Sequence, residues 1–550
     1  MDGELYIHQD FVPSEHVHLL ESTLQPAPLR GVPLAEISGN AQRPQANGAK
    51  SNARYRGQTP DSVDDILDGA FSENGAGDAF IEDDDGAGYA EAPNVNGKRP
   101  ATHLSGPEPK RSYGDRQWRP HVHAAFQPGS TPWRGNRRYL CLNLTGFVWT
   151  VDQETHHTIT IEFYDRAMHR DVHFTDVFLY DKACLTEHGA ALSCPSSSEH
   201  EAHIYYRPHE TWTSRTDWRT TLPRGEEVTS LGLSSNYVVA TTNKGYVRVY
   251  TLTGVPVRVY RTPSMPIVTC ASWRNFVLVV GNGPVAADGT TKLLYTIEDV
   301  KADHFEQAEF TLPLPPGESL TSVFWSDNGD PCVYDSTGVL LVLLHWRSAG
   351  SAKWVPLLDT AQLDRLASGG KDESYWPVAV AMDKFHCIIL KGGEKAPYFP
   401  RPLLSEFDFK IPVSGSRKGN AGSDEGEDEE SPETEKARLE EQFVRRSVLC
   451  DLQRDRVQYT KATTAQRMDV TRQEVEVDKV LLQLLAAECR EGEEKGMKAL
   501  EIVGLMQDRT GKMLEAAGKI AARFGRDVLG EKIVELAERR LVGLVDEDEL

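Results

Sequence analysis

Between Arg137 and Val413 the chain is a succession of short apolar runs separated by turn residues, with no helical spacing between them. The runs GFVWTVD, HTITIEFYD, EVTSLGLSSNYVVATTNKGYVRVYTLTG, PIVTCASWRNFVLVVGNG, LTSVFWSDNGDPCVYDSTGVLLVLLHW and WPVAVAMDKFHCIIL are rich in Val, Ile, Thr, Tyr and Phe, which suit a pleated surface. Several repeat a unit of strand, turn and strand in which Asn243-Lys244-Gly245 or Ser336-Thr337-Gly338 supplies the turn. Hairpins repeated over this length, at about 40 to 50 residues per unit, predict a six-bladed β-propeller across 131–413, since a sandwich would be too short.

After residue 435 the period changes. Val480, Leu481, Leu484 and Leu485, then Leu500, Val503 and Leu505, fall at helical spacing, and Gly492, Gly511 and Gly525 supply breaks. The spacing predicts a bundle of about five short helices across 436–545. Residues 414–435 between them are dense in Asp and Glu and read as an extended, solvated linker. Residues 1–130 are rich in Gly, Pro, Ala, Asn and Asp and show no sustained periodicity, which predicts a mostly disordered arm. The fold class is therefore mainly β with α: a disordered arm, a propeller and a helical bundle.

The chain has 550 residues and a net charge of −22, so its summed field repels nucleic acid and anionic membranes. No apolar run reaches the roughly 20 residues that span a bilayer, and the amino terminus lacks a secretory leader pattern. A soluble, intracellular protein is expected. The eight cysteines are scattered without a CxxC pair, which indicates neither a disulfide framework nor a zinc site and fits a reducing compartment. The pairs His16/His18, His121/His123 and His156/His157 read as surface histidines. GNGPVAADG at 281–289 follows a strand but opens no helix, so it reads as a hairpin loop, not a phosphate cradle. No GxxxxGK[ST], GxSxG or HExxH motif is present. No catalytic residue, cofactor or metal is expected, and the chain reads as a non-enzymatic protein whose surfaces hold partners.

Two islands stand out in the arm. Lys98-Arg99 and Lys110-Arg111 are exposed basic pairs on an otherwise acidic segment, the pattern that nuclear import receptors read, and they predict a nuclear protein. SVDDILDGAF at 62–71 and DAFIEDDDGAGY at 78–89 set apolar anchors among carboxylates, as short motifs that fold on a partner do.

In the order of its blade motifs, from RRYLCLNLTGFVWTVD through WPVAVA and PYFPRP, and in its helical tail EVDKVLLQLLAAECREGEEKGMKALEIVGLM, the chain resembles the chromosome-transmission-fidelity, or minichromosome-loss, family of replisome adaptors. The animal members are called acidic nucleoplasmic DNA-binding protein. The resemblance covers about 130–540 and implies a propeller that self-associates into a homotrimer. It further implies a hub that tethers DNA polymerase alpha–primase to the CMG helicase through GINS, coupling unwinding to priming and to sister-chromatid cohesion. Its helical domain holds client peptides built around Asp-Asp-Ile-Leu. Against that family the chain is expected to be a carboxyl-terminal portion, lacking the amino-terminal WD-type propeller; no HMG box is present, so direct DNA binding is not expected.

A groove for such a peptide is expected to need small residues at i and i+4 so that the helix backbones can approach. Leu482 and Ala486 on the helix expected at 474–490, and Ala516 and Ile520 on that expected at 512–524, fit, with Lys519 and Arg523 as partners for acidic residues. Asp64-Asp65-Ile66-Leu67 in the arm matches the client motif and is expected to dock on the chain's own or a neighbouring bundle. Two further classes compete with the hub: a nuclear propeller scaffold, such as a chromatin reader or ubiquitin-ligase substrate receptor binding ligands on its propeller face, and a propeller hydrolase with carboxylates in its channel.

Overall fold

The computed structural model describes residues 120–210, 217–287, 289–363, 373–399, 402–413, 432–491, 496–508 and 511–542. Among them the strands form six antiparallel sheets that follow one another along the chain. Blades 1 to 6 occupy 137–176, 182–221, 228–261, 267–311, 320–359 and 373–408; the first five have four strands and the sixth has three. The expected turns appear where a left-handed residue is needed: Gly245 and Gly338 take φ of 75° and 89°. At the second, the Asp335 carboxylate accepts hydrogen bonds from the Thr337 and Val339 amides, both at 3.0 Å. The 281–289 stretch continues the strand Phe276–Val285 into a hairpin, as expected.

The ring follows from how the blades share their apolar faces. Ile159 and Leu192 belong to one buried cluster between blades 1 and 2, Ile204 and Val238 to the next, and Val249 and Cys270 to the third. Val280 and Trp346 join blades 4 and 5, and Leu340 and Phe385 join blades 5 and 6. Ile388 of blade 6 then shares a cluster with Tyr139 of blade 1, so the last blade meets the first. Every strand of blade 1 precedes every strand of blade 6 in the chain, so this seam is closed by side chains and not by an exchanged strand. Phe399 stacks on Tyr139 at 4.4 Å and meets the Trp149 edge at 5.2 Å. Outside them Arg134 lies 4.3 Å from the Tyr398 ring centre and pairs with Glu394 at 2.9 Å. Phe399→Ala is expected to cost about 2 kcal/mol, since the residue is half-buried and its ring contacts are lost together. Urea unfolding followed by tryptophan fluorescence reads this, and an unchanged midpoint would place the closure elsewhere.

The expected arm extends to residue 130, but its last residues belong to the propeller. His121 bridges to Thr290 of blade 4, and the Phe126 amide donates to the Val268 carbonyl at 2.9 Å. Gln127, 7% exposed, caps the inner strand of blade 3: its Oε1 accepts the Leu231 amide at 2.7 Å and its Nε2 donates to the Leu231 carbonyl at 3.1 Å. A polar segment without periodicity is ordered here because the inner strands leave backbone groups for it to satisfy.

Among the described residues five helices follow: α1 (Pro432–Tyr459), α2 (Thr464–Glu491), α3 (Gly496–Gly504), α4 (Lys512–Arg523) and α5 (Asp527–Val542). The count agrees with expectation. The lengths do not, because α1 and α2 have 28 residues each. α1 starts inside the expected linker, where proline suits the first helical turn and Glu433 and Glu435 favour the positive end of the helix dipole. α2 opens on a capping box, with the Gln466 amide donating to Thr463 Oγ1 at 3.3 Å and the Thr463 amide to Gln466 Oε1 at 2.9 Å. α1 serves two cores. Val448 and Leu452 join the cluster between blades 5 and 6, whereas Leu439 and Cys450 join the bundle core with Leu481, Leu485, Val503, Ala517 and Ile533. Among the described residues no helix is long and apolar enough to cross a membrane.

Candidate functional site

The bundle core uses the inward positions of α2 and α4, namely Leu481, Leu484 and Leu485 on one and Leu514, Ala517 and Ala521 on the other. The four groove residues expected from sequence sit beside these. Leu482 from α2 and Ile520 from α4 pack against the margin of the same core. Ala486 and Ala516 lie one turn away on the same helices, and all four are half-buried. Half-burial at the edge of a packed seam leaves apolar surface that a short helix could cover. Lys519 and Arg523 are exposed on α4, and Lys519 pairs with Glu515 at 2.7 Å, so part of its charge is already met within the helix.

Two concavities open elsewhere on the bundle. One of about 810 Å³ lies among α3 and α5, with Met497, Leu500, Val528 and Leu536 in its lining and Lys532 and Arg539 at its edge. The other, about 730 Å³, lies between α4 and α5 and includes Lys519 together with Gly518, Gly530 and Val534. Leu482, Ala486, Ala516 and Ile520 line neither of these two concavities. Asp64, Asp65, Ile66, Leu67, Lys98, Arg99, Lys110 and Arg111 lie outside the described residues.

The propeller channel is lined by inner-strand residues of every blade, including Cys141, Cys184, Leu231, Cys270, Ser322 and Pro377, and by Gln127 from the segment that precedes blade 1. Its carboxylates among the described lining residues, Glu187 and Asp327, are exposed and come from blades 2 and 5. They are not the clustered, buried acids that hydrolysis in the channel would need.

One arrangement departs from the sequence reading. Cys194 is grouped with His200 and His203, and one ligand atom from each lies within 4.8 Å of the others. Burial pushes the Cys194 thiol up to about 11 and holds the His203 imidazole down at about 4, so both are neutral near pH 7. Scanning for CxxC pairs and adjacent histidines misses this cluster. The signal is CPSSSEHEAH, in which one cysteine and two histidines fall within ten residues of a hairpin.

A family model described as "Minichromosome loss protein, Mcl1, middle region" matches residues 124–413, and one described as "DNA polymerase alpha-binding protein Ctf4, C-terminal domain" matches 437–543. Among curated proteins, Minichromosome loss protein 1 of Schizosaccharomyces pombe is 41% identical over 75% of this chain and 49% of its own length. DNA polymerase alpha-binding protein of Saccharomyces cerevisiae is 30% identical over 84% of this chain and 53% of its own. WD repeat and HMG-box DNA-binding protein 1 of Homo sapiens is 26% identical over 76% of this chain and 35% of its own. The chain thus spans about half the length of the two yeast relatives and less of the human one.

Proposed function

From the premise that this chain belongs to the family of the minichromosome loss protein Mcl1 and the DNA polymerase alpha-binding protein Ctf4, we propose that it is a non-enzymatic adaptor of the nuclear replication machinery. It self-associates through its propeller into a trimer and carries DNA polymerase alpha and other clients to the CMG helicase through GINS. Its helical bundle does the carrying by taking short Asp-Asp-Ile-Leu-type peptides. What supports this reading is the partial burial of Leu482 and Ala486 on α2 and of Ala516 and Ile520 on α4, two helices that share the bundle core, with Lys519 and Arg523 exposed on α4. A client helix would lay its Ile and Leu on the seam and its carboxylates toward the cations. Three bundles on one trimer would raise the avidity of individually weak contacts through effective concentration.

The test uses a fluorescent peptide spanning residues 58–75, titrated against the full chain carrying Ile66→Ala and Leu67→Ala so that its own motif does not compete. Saturable binding that falls at least about tenfold with Ala516→Glu is expected, because a buried carboxylate without a partner would face the peptide's own acids. Absence of saturable binding, or binding untouched by Ala516→Glu, sinks the groove. Light scattering on the same sample checks the hub: the mass of three chains is expected, and a monomer would point instead to a scaffold that reads ligands on its propeller face.

A further inference from the structure

The hairpin of blade 2 formed by the strands Gly189–Cys194 and His203–Pro208 ends with Cys194 directly opposite His203. Sγ lies 3.0 Å from His203 Nδ1. The connecting loop returns His200 to the same point, with its Nδ1 4.0 Å from Sγ. Cys194 and His203 are 1% and 3% exposed, while His200 is half-buried. We propose that Cys194, His200 and His203 form a transition-metal site for Zn²⁺, with three protein ligands from one hairpin and a water in the fourth position.

The chemistry of the donor set carries this reading. One thiolate and two imidazoles are a soft-to-borderline set that suits Zn²⁺ and is poorly matched to Mg²⁺ or Ca²⁺. A second layer holds the ligands in place. The Tyr180 hydroxyl lies 3.1 Å from His203 Nε2 and gives that nitrogen a partner, while Sγ lies nearer to Nδ1, at 3.0 Å, than to Nε2, at 3.7 Å. The Phe178 ring stands edge-on to both imidazoles, at 4.8 Å from His203 and 5.4 Å from His200, and walls the site from one side. Arg219 lies behind Phe178 with its guanidinium 4.1 Å from the ring centre and hydrogen-bonds the Tyr180 hydroxyl at 3.3 Å. Its charge opposes a bare cation but favours the thiolate that a metal requires. The other seven cysteines belong to no such group among the described residues. A bound ion would pin the 195–202 loop, which is otherwise closed on itself by the Ser197 amide donating to the His200 carbonyl at 2.8 Å and tied outward by Ser196 Oγ donating to Glu227 at 2.5 Å.

The full chain, stripped with a chelator and dialysed, is titrated with Co²⁺ as a spectroscopic probe and then with Zn²⁺ in competition. One equivalent of Co²⁺ per chain is expected, with the intense visible bands of a tetrahedral site and a thiolate-to-metal charge-transfer band that Zn²⁺ erases. His200→Ala leaves the fold intact because the residue is a loop ligand, and it should weaken binding at least about tenfold; Tyr180→Phe, which removes the partner of the ligand's second nitrogen, should weaken it by about 10-fold to 100-fold. Cys194→Ser should abolish the charge-transfer band, and Cys184→Ser should leave it unchanged. Failure of the wild-type chain to bind one equivalent, or equal binding by the wild type, His200→Ala and Cys194→Ser, overturns the site and leaves a Cys–His hydrogen bond in its place.

Discussion

Replacing Asp330 with alanine is expected to lower the stability of the chain by about 3–5 kcal/mol, the range found when one partner of a buried ion pair is removed. Asp330, 3% exposed, sits in blade 5 beneath α1. Its carboxylate accepts from Arg347 Nη1 at 3.1 Å and from Trp346 Nε1 at 3.4 Å, and it lies 3.8 Å from Arg456 Nε on α1. Burial pushes this carboxyl above the usual aspartate range, while Arg347 and Arg456 pull it back. Alanine would leave Arg347, itself 7% exposed in its side chain, with the Gly329 carbonyl and the Trp346 ring but without its paired carboxylate. Beside it Asp455 of α1 accepts the His345 amide at 2.9 Å, so the same patch fastens the helix to the propeller. Urea denaturation of Asp330→Ala should therefore show an earlier transition in which bundle and propeller no longer melt together. The double variant Asp330→Leu/Arg347→Met should recover most of the loss, because an apolar pair of similar volume carries no unpaired charge. A shift below about 1 kcal/mol for Asp330→Ala would mean the joint rests on Val448 and Leu452 alone.

Glu488→Ala is expected to cost about 3 kcal/mol for a related reason inside the bundle. The Glu488 side chain is fully covered and lies 2.5 Å from Lys436 Nζ of α1 and 2.8 Å from Lys498 Nζ of α3, so one carboxylate on α2 ties three helices. Burial acts to raise its pKa, but the two ammonium groups outweigh it and hold the carboxyl below the ordinary glutamate value. A carboxyl depressed in the folded state contributes stability that is present above its unfolded pKa, about 4.3, and is lost as pH falls through the lower folded value. Thermal melts should accordingly lose stability below about pH 4.3, and Glu488→Gln should flatten that acid limb. An acid limb identical in the wild type and Glu488→Gln would remove this triad from the account.

How far such joints could be read in advance depended on whether their cause was local. The strand runs of 137–413 alternate and break at Gly245 and Gly338, so the blades were legible from spacing and turn chemistry. The Thr463–Gln466 capping box was likewise present as a short-range pattern. The two long helices were legible as helices but not in length: their charged faces pair with residues far along the chain, as Arg454 does with Glu474 and Gln507 at 3.0 and 2.7 Å. Gln127 and the Cys194 cluster were read as arm and as scattered thiol because neither carries a periodic signal. Of the proposed groove, residue type and four-residue spacing were visible in Leu482, Ala486, Ala516 and Ile520, whereas their partial burial was not.

By itself the amino-acid sequence determined the succession of a β-repeat body and a helical tail, and the family to which they belong, because alternation, helical period and turn residues are short-range properties of the chain. Only the tertiary structure decided which edges meet. The stacking of Phe399 on Tyr139 closes a ring across 260 residues of chain, Asp330 binds a helix that begins a hundred residues later, and Cys194 finds two histidines across a turn. Such contacts depend on where rigid elements come to rest against one another, and that position is set by the packing of whole buried faces, not by any one segment's own preference.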